Sequence, residues 1–480
     1  MTEKKWYDNA VMVNRDPNWY GYIKGSSAEE ITENLKKGYG CYDGAVTDVL
    51  IGVFEQTAMT PNNSFFWRGE KYLQKKENGF DVDYSGFVDL YNCFMKYNVD
   101  AVQVFIDKMH ELGIRPWLTF RMNDVHFNDD ATSFIHSPMF YEEVAARHIV
   151  TKHYPGYGNA FSFMYPRYKN ALLGYIKEML DKYDVFGIEL DFMREIYCFD
   201  YIKDKGIQEI MLDYVREIKE YARGIEKRVG HDIKISIRTC ASPIDAYQFG
   251  FDIRTMVEEG LVDVVVVTPR WATSDSGLQI RRWREWLGDD VAIIGGLEHR
   301  NIRGTLTLPE HTKAYAASYY AQSADGIYFT NHEYDTPRNH GAWAVNKDNC
   351  TEGHREFLVS YQDIAAYPEN QYKPLPLTIK AIADLPLELG KIKPTDKVRV
   401  VVDFDGEAEE APTLTIGKKQ NVVGKECERV IGIIGKNPMI LTDFIPLEYD
   451  MTGMETEGKA NLIFKGNGLI RYVNVIIDGE

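Results

Sequence analysis

The sequence predicts an α/β fold, a (β/α)8 barrel of the TIM-barrel type, followed by a C-terminal β-sandwich. Up to about residue 365, short runs rich in Val, Ile and Phe alternate with longer segments of helical period, which is typical of repeated βα units. Eight such units can be counted, and eight parallel strands close a barrel. No G-x-G-x-x-G follows the first strand and no Walker motif is present, which disfavours an open dinucleotide-binding sheet.

Eight strands are expected in the barrel, separated by segments of helical period. The predicted strands are residues 10–13, 49–55, 115–121, 185–192, 233–240, 262–268, 291–297 and 326–330. The predicted helices begin at residue 27 and then cover 85–112, 168–183, 208–229, 252–259, 278–287 and 311–323, the second being broken near Asn98. Ser26 and Ser27 before Glu29 and Glu30 are typical of a helix N-terminal cap.

The chain is predicted to divide into two domains. Residues 1–367 form the catalytic barrel, and the Pro-rich residues 372–376 form a linker. Residues 376–480 show short alternating strands, such as 398–404 and 472–477, and no helical period. This second domain is expected to brace the barrel, and sugar binding is its alternative role.

Composition excludes several classes of partner. Among 480 residues, 55 Lys and Arg face 72 Asp and Glu, and the net charge of −17 repels nucleic acid and anionic membranes. No apolar run reaches the roughly 18 residues of a membrane span. The six cysteines form no C-x-x-C pair, which fits a reducing cytoplasm, with export after removal of a leader as the alternative. Aromatic residues make up 13% of the chain, and their faces suit sugar rings.

The fourth strand carries two inward-facing carboxyl groups. Period-two alternation places Gly187, Glu189 and Asp191 on one face, with apolar neighbours on the other. Burying a charge is costly unless the charge is paired or functional. Asp191 lies nearest the barrel mouth, where such barrels hold their chemistry, and is the first catalytic candidate. A buried ion pair with a neighbouring arginine is the alternative, and it is stronger for the deeper Glu189.

The seventh strand ends in a second carboxyl group, Glu298, which is the other catalytic candidate. Glycosidic cleavage uses two carboxyl groups, one to protonate the leaving oxygen and one to attack the anomeric carbon or activate water. An ion pair between Glu298 and Arg300 is the alternative.

Further polar residues follow the strands and predict a site for hydroxyl groups. The third strand ends with Arg121, Asn123, Asp124 and His126, and a bidentate arginine can hold a carboxylate. Candidates at other strand ends are Asn14, Arg15, Asp16, Glu55, Arg238, Arg270, Trp271, His299, Asn331, His332, Glu333 and Asp335. No H-x-H or H-E-x-x-H spacing supports a metal, so neither a metal nor another cofactor is predicted.

Three segments carry a resemblance to a known family: RMNDVH after the third strand, GIELDFMRE on the fourth and the acidic end of the seventh. Over residues 8–365 the chain resembles bacterial TIM-barrel proteins of the family-10-like glycosyl hydrolases. The resemblance implies that Asp191 is a catalytic carboxylate and that Arg121, Asn123, Asp124 and His126 bind sugar. The Asn-Glu pair of true family-10 xylanases is missing, and Met193 stands where the chitinase-like pattern has its acid.

The sequence therefore predicts a glycoside hydrolase with Asp191 and Glu298 as catalytic residues and a glycan or oligosaccharide as substrate. The predicted substrate-binding residues are Arg121, Asn123, Asp124, His126, Glu189, Arg238, Trp271, His299, His332 and Glu333. A non-catalytic carbohydrate-binding barrel and a metal-dependent hydrolase or lyase are the alternatives. Aromatic residues in segments 56–81 and 127–165, among them Phe66 and Phe161, are expected to wall the mouth into a pocket.

Overall fold

The structure is a computed structural model. It describes residues 5–15, 23–44, 46–55, 57–62, 66–73, 76–77, 80–81, 85–124, 160–193, 196–200, 203–269, 278–298, 309–330, 354–359, 377–379, 382–405, 411–427, 432–434, 437–439, 445–466 and 468–479, and in addition Ser274, Val345 and Lys347.

Strands and helices alternate through the first two thirds of the chain. In order they are β1 (Ala10–Arg15), α1 (Ala28–Tyr39), β2 (Asp48–Glu55), β3 (Thr57–Ala58), β4 (Lys76–Glu77), β5 (Phe80–Asp81), α2 (Ser85–Met95), α3 (Ala101–Glu111), β6 (Arg115–Arg121), α4 (Pro166–Lys182), β7 (Gly187–Asp191), α5 (Ile207–Val229), β8 (Lys234–Thr239), α6 (Pro243–Gln248), α7 (Ile253–Glu258), β9 (Val264–Val267), α8 (Ile280–Leu287), β10 (Ala292–Leu297), α9 (Pro309–Ala321) and β11 (Gly326–Phe329). Short 3-10 helices lie at Gly40–Tyr42 and Gly69–Leu73.

Eight of these strands close a parallel barrel. Their order is β1, β2, β6, β7, β8, β9, β10 and β11, and β11 pairs with β1 to complete the ring. The eight predicted strands are confirmed, and their ends differ from the predicted ends by at most two residues. The helix α6 and the strands β3, β4 and β5 were not predicted, because segments of two to six residues carry too little periodicity to detect.

The helices begin and end where their sequence predicts. The Ser27 hydroxyl accepts a hydrogen bond from Glu30 N, and the Glu30 side chain accepts one from Ser26 N, so both ends of the predicted cap are formed. The predicted break near Asn98 is confirmed, because Asn98 has a φ of 52° and separates α2 from α3. Asp100 then caps α3 by accepting hydrogen bonds from two backbone N–H groups.

The amino end of the barrel is closed by aromatic and apolar side chains. Trp117 is fully buried and donates a hydrogen bond from Nε1 to Asp48, which also accepts two from Arg115. The Arg115 guanidinium lies 5.1 Å from the ring of Trp6. Gly187 makes room for Trp117, since a Cβ there would lie 2.3 Å from the indole ring. Polar side chains of the interior are therefore concentrated at the carboxyl end.

The rest of the chain forms antiparallel sheets. Its strands are β12 (His354–Val359), β13 (Leu377–Ile379), β14 (Ile382–Glu388), β15 (Lys397–Asp405), β16 (Thr413–Ile416), β17 (Lys419–Val423), β18 (Lys425–Glu426), β19 (Gly432–Ile434), β20 (Asn437–Met439), β21 (Ile445–Asp450), β22 (Lys459–Lys465) and β23 (Gly468–Asp478). One sheet has six strands, β12, β13, β15, β18, β21 and β23, and another has four, β14, β16, β17 and β22.

The two larger sheets contact each other, and the six-stranded sheet also contacts a helix of the barrel. The ring of Tyr449 on β21 lies 5.9 Å from that of Phe464 on β22. The strand β12 falls within the range 1–367 predicted for the barrel, but it pairs with β23 and also contacts α9. The predicted linker at 372–376 lies outside the described residues, and the β-sandwich arrangement stays a prediction.

No described helix is both long enough and apolar enough to cross a membrane.

Candidate functional site

Two polar layers fill the carboxyl end of the barrel. The register of β6, β7 and β8 places Thr119, Glu189 and Ser236 side by side, and we call these three the lower layer. Two residues further on, the same register places Arg121, Asp191 and Arg238 side by side, and these form the upper layer. Because side chains alternate along a strand, both layers point into the barrel.

Arg238 joins the two predicted catalytic residues. Its Nη1 donates a hydrogen bond to Asp191 Oδ2 over 3.0 Å, and its Nη2 donates to Glu298 Oε1 over 2.8 Å. All three side chains are at most 3% exposed. Asp191 ends β7 and Glu298 follows β10, so one guanidinium brings together carboxyl groups from strands that are three places apart in the ring. The buried ion pair left open for Asp191 is therefore present, and its partner is Arg238.

The surroundings fix this triad in place. Asp191 Oδ1 accepts a hydrogen bond from Met193 N over 2.9 Å. Glu298 N donates to Ser274 Oγ, and Ser274 Oγ donates to Glu298 O, both over 3.0 Å. The Asp191 carboxyl group is thus tied to its own loop as well as to Arg238, and the backbone of Glu298 is tied to the loop that carries Ser274.

A glycine allows the third contact of Arg238. Its Nε donates to Thr268 Oγ1 over 3.1 Å. Thr268 lies against Gly296 on the neighbouring strand, where a Cβ would lie 1.9 Å from the threonine methyl group. Gly296 therefore lets Thr268 orient the guanidinium, a reason for glycine that the strand pattern alone does not show.

Arg121 forms a second ion-pair cluster in the upper layer. Its Nη1 donates to Glu55 and, over 3.2 Å, to Asp124 Oδ2. Among the described residues, the carboxyl end of the barrel holds five buried carboxyl groups, Glu55, Asp124, Glu189, Asp191 and Glu298, and three buried guanidinium groups, Arg15, Arg121 and Arg238.

Glu189 is held asymmetrically in the lower layer. Its Oε1 accepts hydrogen bonds from Tyr328 OH, Thr119 Oγ1 and Asn14 Nδ2 over 2.7, 2.8 and 3.1 Å. Its Oε2 is buried and accepts no hydrogen bond from the described residues. Burial, and then the charge of Asp191, raise the pKa of Glu189 to about 7. This side chain therefore holds a proton up to near neutral pH.

Asn123 connects the loops around the site. Its Nδ2 donates to Phe161 O and Tyr197 O over 2.7 and 3.1 Å, and its Oδ1 accepts from Phe161 N over 3.0 Å. The segments after β6, before α4 and after β7 are thereby held together. A contact between Asn123 and substrate stays a prediction, because these bonds direct the amide towards the loop backbone.

The expected aromatic wall is wrong for two of its members. The Phe66 side chain is fully buried, and its ring lies 4.8 Å from that of Phe54. Phe161 is also buried and stacks on Tyr168 at 4.1 Å. Both pack in the apolar core, because the segments that carry them fold back onto α4.

Several predicted site residues lie outside the described residues. These are Asp16, His126, Arg270, Trp271, His299, Asn331, His332, Glu333 and Asp335. Arg300, the partner considered for Glu298, is also among them. In the described part of the chain, no group of three or more His, Cys, Asp or Glu residues is arranged to hold a metal ion.

Three contributing residues were missed by sequence reasoning. Thr268 and Ser274 were overlooked because a single hydroxyl after a strand gives no distinctive signal. Tyr328 shares the inward face of the eighth strand with Gly326, so strand parity was sufficient to find it.

Comparison with known proteins gives likenesses of fold only. No protein-family model and no curated protein matches the chain. Among solved structures, the chain is similar to an Anoxybacillus alpha-amylase, at 13% identity and a TM-score of 0.41, covering 96% of this chain and 99% of the other. It is also similar to alpha-L-fucosidase isoenzyme 2 from Paenibacillus thiaminolyticus, at 14% identity and a TM-score of 0.42.

That match covers 74% of this chain and spans about half of the fucosidase, 51%. A noncanonic maltogenic alpha-amylase from Thermotoga neapolitana is similar at 9% identity and a TM-score of 0.38, covering 96% of this chain and 98% of the other. The solved structures that the chain resembles thus include glycoside hydrolases.

Proposed function

We propose that the protein is a glycoside hydrolase in which Asp191 and Glu298 are the catalytic pair. One observation carries the proposal: carboxyl groups from two separate strands meet at one buried guanidinium, at the carboxyl end of a (β/α)8 barrel. This is the end at which such barrels place their active sites. Two carboxyl groups close together are also the chemical requirement for hydrolysing a glycosidic bond.

The contacts of the triad favour distinct roles for its two acids. Both oxygens of Asp191 accept hydrogen bonds from N–H donors, which stabilise its ionised form as nucleophile or base. Glu298 accepts from Arg238 through Oε1 and follows a different strand, and we assign it the role of the acid that protonates the leaving oxygen. The negative charge of an ionised Asp191 would stabilise an oxocarbenium-like transition state.

The finer assignments belong to the same proposal. The substrate is a glycan or oligosaccharide, and the chain belongs with the family-10-like glycosyl hydrolases that it resembles. The antiparallel sheets brace the barrel, a role supported by the contact between α9 and β12. A cytoplasmic location is supported by Cys93 and Cys240, which are buried and form no disulfide.

Turnover of aryl glycosides tests this function. Asp191→Asn should lower the rate per folded molecule at least about a hundredfold, because a catalytic carboxylate contributes orders of magnitude. Glu298→Gln should abolish cleavage of natural glycosides but spare dinitrophenyl glycosides, whose leaving group departs without protonation. Asp48→Asn is the matched control, since Asp48 is equally buried but lies at the opposite end of the barrel.

Three results would count against the proposal. Wild-type rates in both active-site variants would remove Asp191 and Glu298 from the chemistry. Loss of turnover after addition of a chelator would favour the metal-dependent alternative. Sugar binding in calorimetry without turnover of any aryl glycoside would favour the non-catalytic barrel.

A further inference from the structure

We propose that Glu189 is a positioning residue which remains a neutral carboxylic acid in the working enzyme, and that its ionisation sets an alkaline limit of activity. The inference about activity rests on the proposed function, whereas the protonation state of Glu189 can be measured without it. Glu189 is fully buried beneath Asp191 and Arg238, so it acts through them and not on the substrate.

The hydrogen bonds of Glu189 match those of a neutral acid. Three donors, from Asn14, Thr119 and Tyr328, all bind Oε1. In a protonated Glu189, Oε1 would be the carbonyl oxygen and Oε2 would carry the proton. Oε2 accepts no hydrogen bond within the described part of the chain, although it is buried. An unpartnered buried oxygen is costly when it shares a negative charge, and much less so when it carries the proton.

The neighbour of Glu189 in the lower layer can receive that proton's hydrogen bond. Ser236 lies beside Glu189 in the register of β7 and β8, and its Oγ is also buried without a partner among the described residues. A hydroxyl on Glu189 Oε2 would supply the missing donor, directly or through one water molecule.

The described charged and titratable groups that face Glu189 lie above it and across the barrel. They are Asp191 on its own strand, Arg238 on β8 and Tyr328 on β11. β1 and β6 present the neutral side chains of Asn14 and Thr119 in the same space. The inward residues of β9 and β10 are apolar, namely Val264, Val266, Ala292 and Ile294. Arg238 is therefore the cation that an ionised Glu189 would attract.

Competition for Arg238 explains the effect on activity. With Glu189 neutral, the described carboxyl groups that share Arg238 are those of Asp191 and Glu298. With Glu189 ionised, a third carboxyl group attracts the same guanidinium, and the contacts that align the two catalytic acids weaken. Burial, followed by the charge of Asp191, raises the pKa of Glu189 to about 7, so this change falls near neutral pH.

Infrared difference spectroscopy tests the protonation state. The wild-type spectrum at pH 6 should contain a carbonyl band of protonated Glu189, which disappears as the pH rises through about 7 and is missing in Glu189→Gln. Glu298→Gln is the matched control: it removes any band of the proposed acid Glu298 and should keep the Glu189 band. If Glu189→Gln fails to fold, Tyr328→Phe replaces it. The Tyr328 hydroxyl donates a hydrogen bond that stabilises the ionised form of Glu189, so its removal should shift the pH at which the band is half lost to a higher value.

Kinetics on a dinitrophenyl glycoside test the role in activity. This substrate needs no proton from Glu298, so a remaining alkaline limb, falling about tenfold per pH unit, belongs to another group. Glu189→Gln should remove that limb. Absence of the infrared band from the wild-type protein would overturn the proposal, and so would an alkaline limb that persists in Glu189→Gln. If no glycoside is cleaved, the proposed function fails and the proposed link to activity fails with it, whereas the infrared result still decides the protonation state.

Discussion

Replacing Arg238 with methionine should destabilise the barrel strongly. The substitution keeps an unbranched side chain but leaves Asp191 and Glu298 buried together without their cation. Removing one partner of a buried ion pair costs about 3–5 kcal/mol, and Arg238 serves two such pairs. We therefore expect the free energy of unfolding to fall by at least about 3 kcal/mol at pH 7. Urea unfolding followed by the fluorescence of the tryptophans measures this change.

Arg216→Met provides the matched control. Arg216 contacts three carboxylates, of Glu209, Asp213 and Glu259, over 2.6–2.8 Å, but its side chain is 36% exposed. The distances resemble those around Arg238, so burial is the main difference between the two sites. Exposed ion pairs contribute little, and the control should lose much less stability than Arg238→Met.

The pH dependence of the stability of Arg238→Met tests the same prediction in a second way. Protonation neutralises the two carboxylates that Arg238→Met leaves buried, so the stability deficit should shrink as the pH is lowered towards about 4, where carboxyl groups ordinarily take up protons. A loss no larger than that of the Arg216 control, or a deficit that does not change with pH, would refute the reasoning from burial.

Three further substitutions have defined outcomes. Glu189→Gln should flatten the pH dependence of stability: the raised pKa stabilises the wild-type fold fully below pH 4.5, and about 3 kcal/mol is lost as the pH rises to about 7. Urea titrations of both proteins check this. Asn123→Ala should cost about 1–3 kcal/mol and increase hydrogen exchange in residues 160–163 and 196–198, because their backbone partners lose the amide. Gly187→Ala should lower the melting temperature, because its Cβ meets Trp117, whereas Gly174→Ala, with open space around it in α4, should raise the melting temperature.

The strands and helices of the barrel could be predicted because each is encoded by a short, continuous stretch of sequence. The apolar runs of the strands and the helical period between them are each read within about ten residues, and β6 has the predicted bounds. Strand parity also placed Glu189 and Asp191 inside the barrel. The partner of Glu298 could not be found in this way, because Arg238 lies 60 residues away and meets it only through closure of the ring.

The local sequence pattern also could not predict that aromatic residues in the segments 56–81 and 127–165 are buried. Phe66 and Phe161 have the composition of a sugar-facing wall, but each pairs with a ring from a distant element, Phe54 on β2 and Tyr168 on α4. Residue type alone does not distinguish a side chain that faces substrate from one that fills the core. Only the packing of the helices against the strands decides between them.

The aromatic closure at the amino end of the barrel affects how small molecules would reach and leave the two polar layers. Trp117 is fully buried there and Trp6 lies over Arg115, so these rings lie between the two polar layers and the amino end of the barrel. In the proposed reaction at Asp191, the departing group and the incoming water would then share the opening at the carboxyl end. The water that completes hydrolysis then takes the path that the departing group has just left. If Asp191 is the nucleophile of the proposed glycoside hydrolase, the time that the departing group spends in the opening would decide between water and a second sugar as the acceptor.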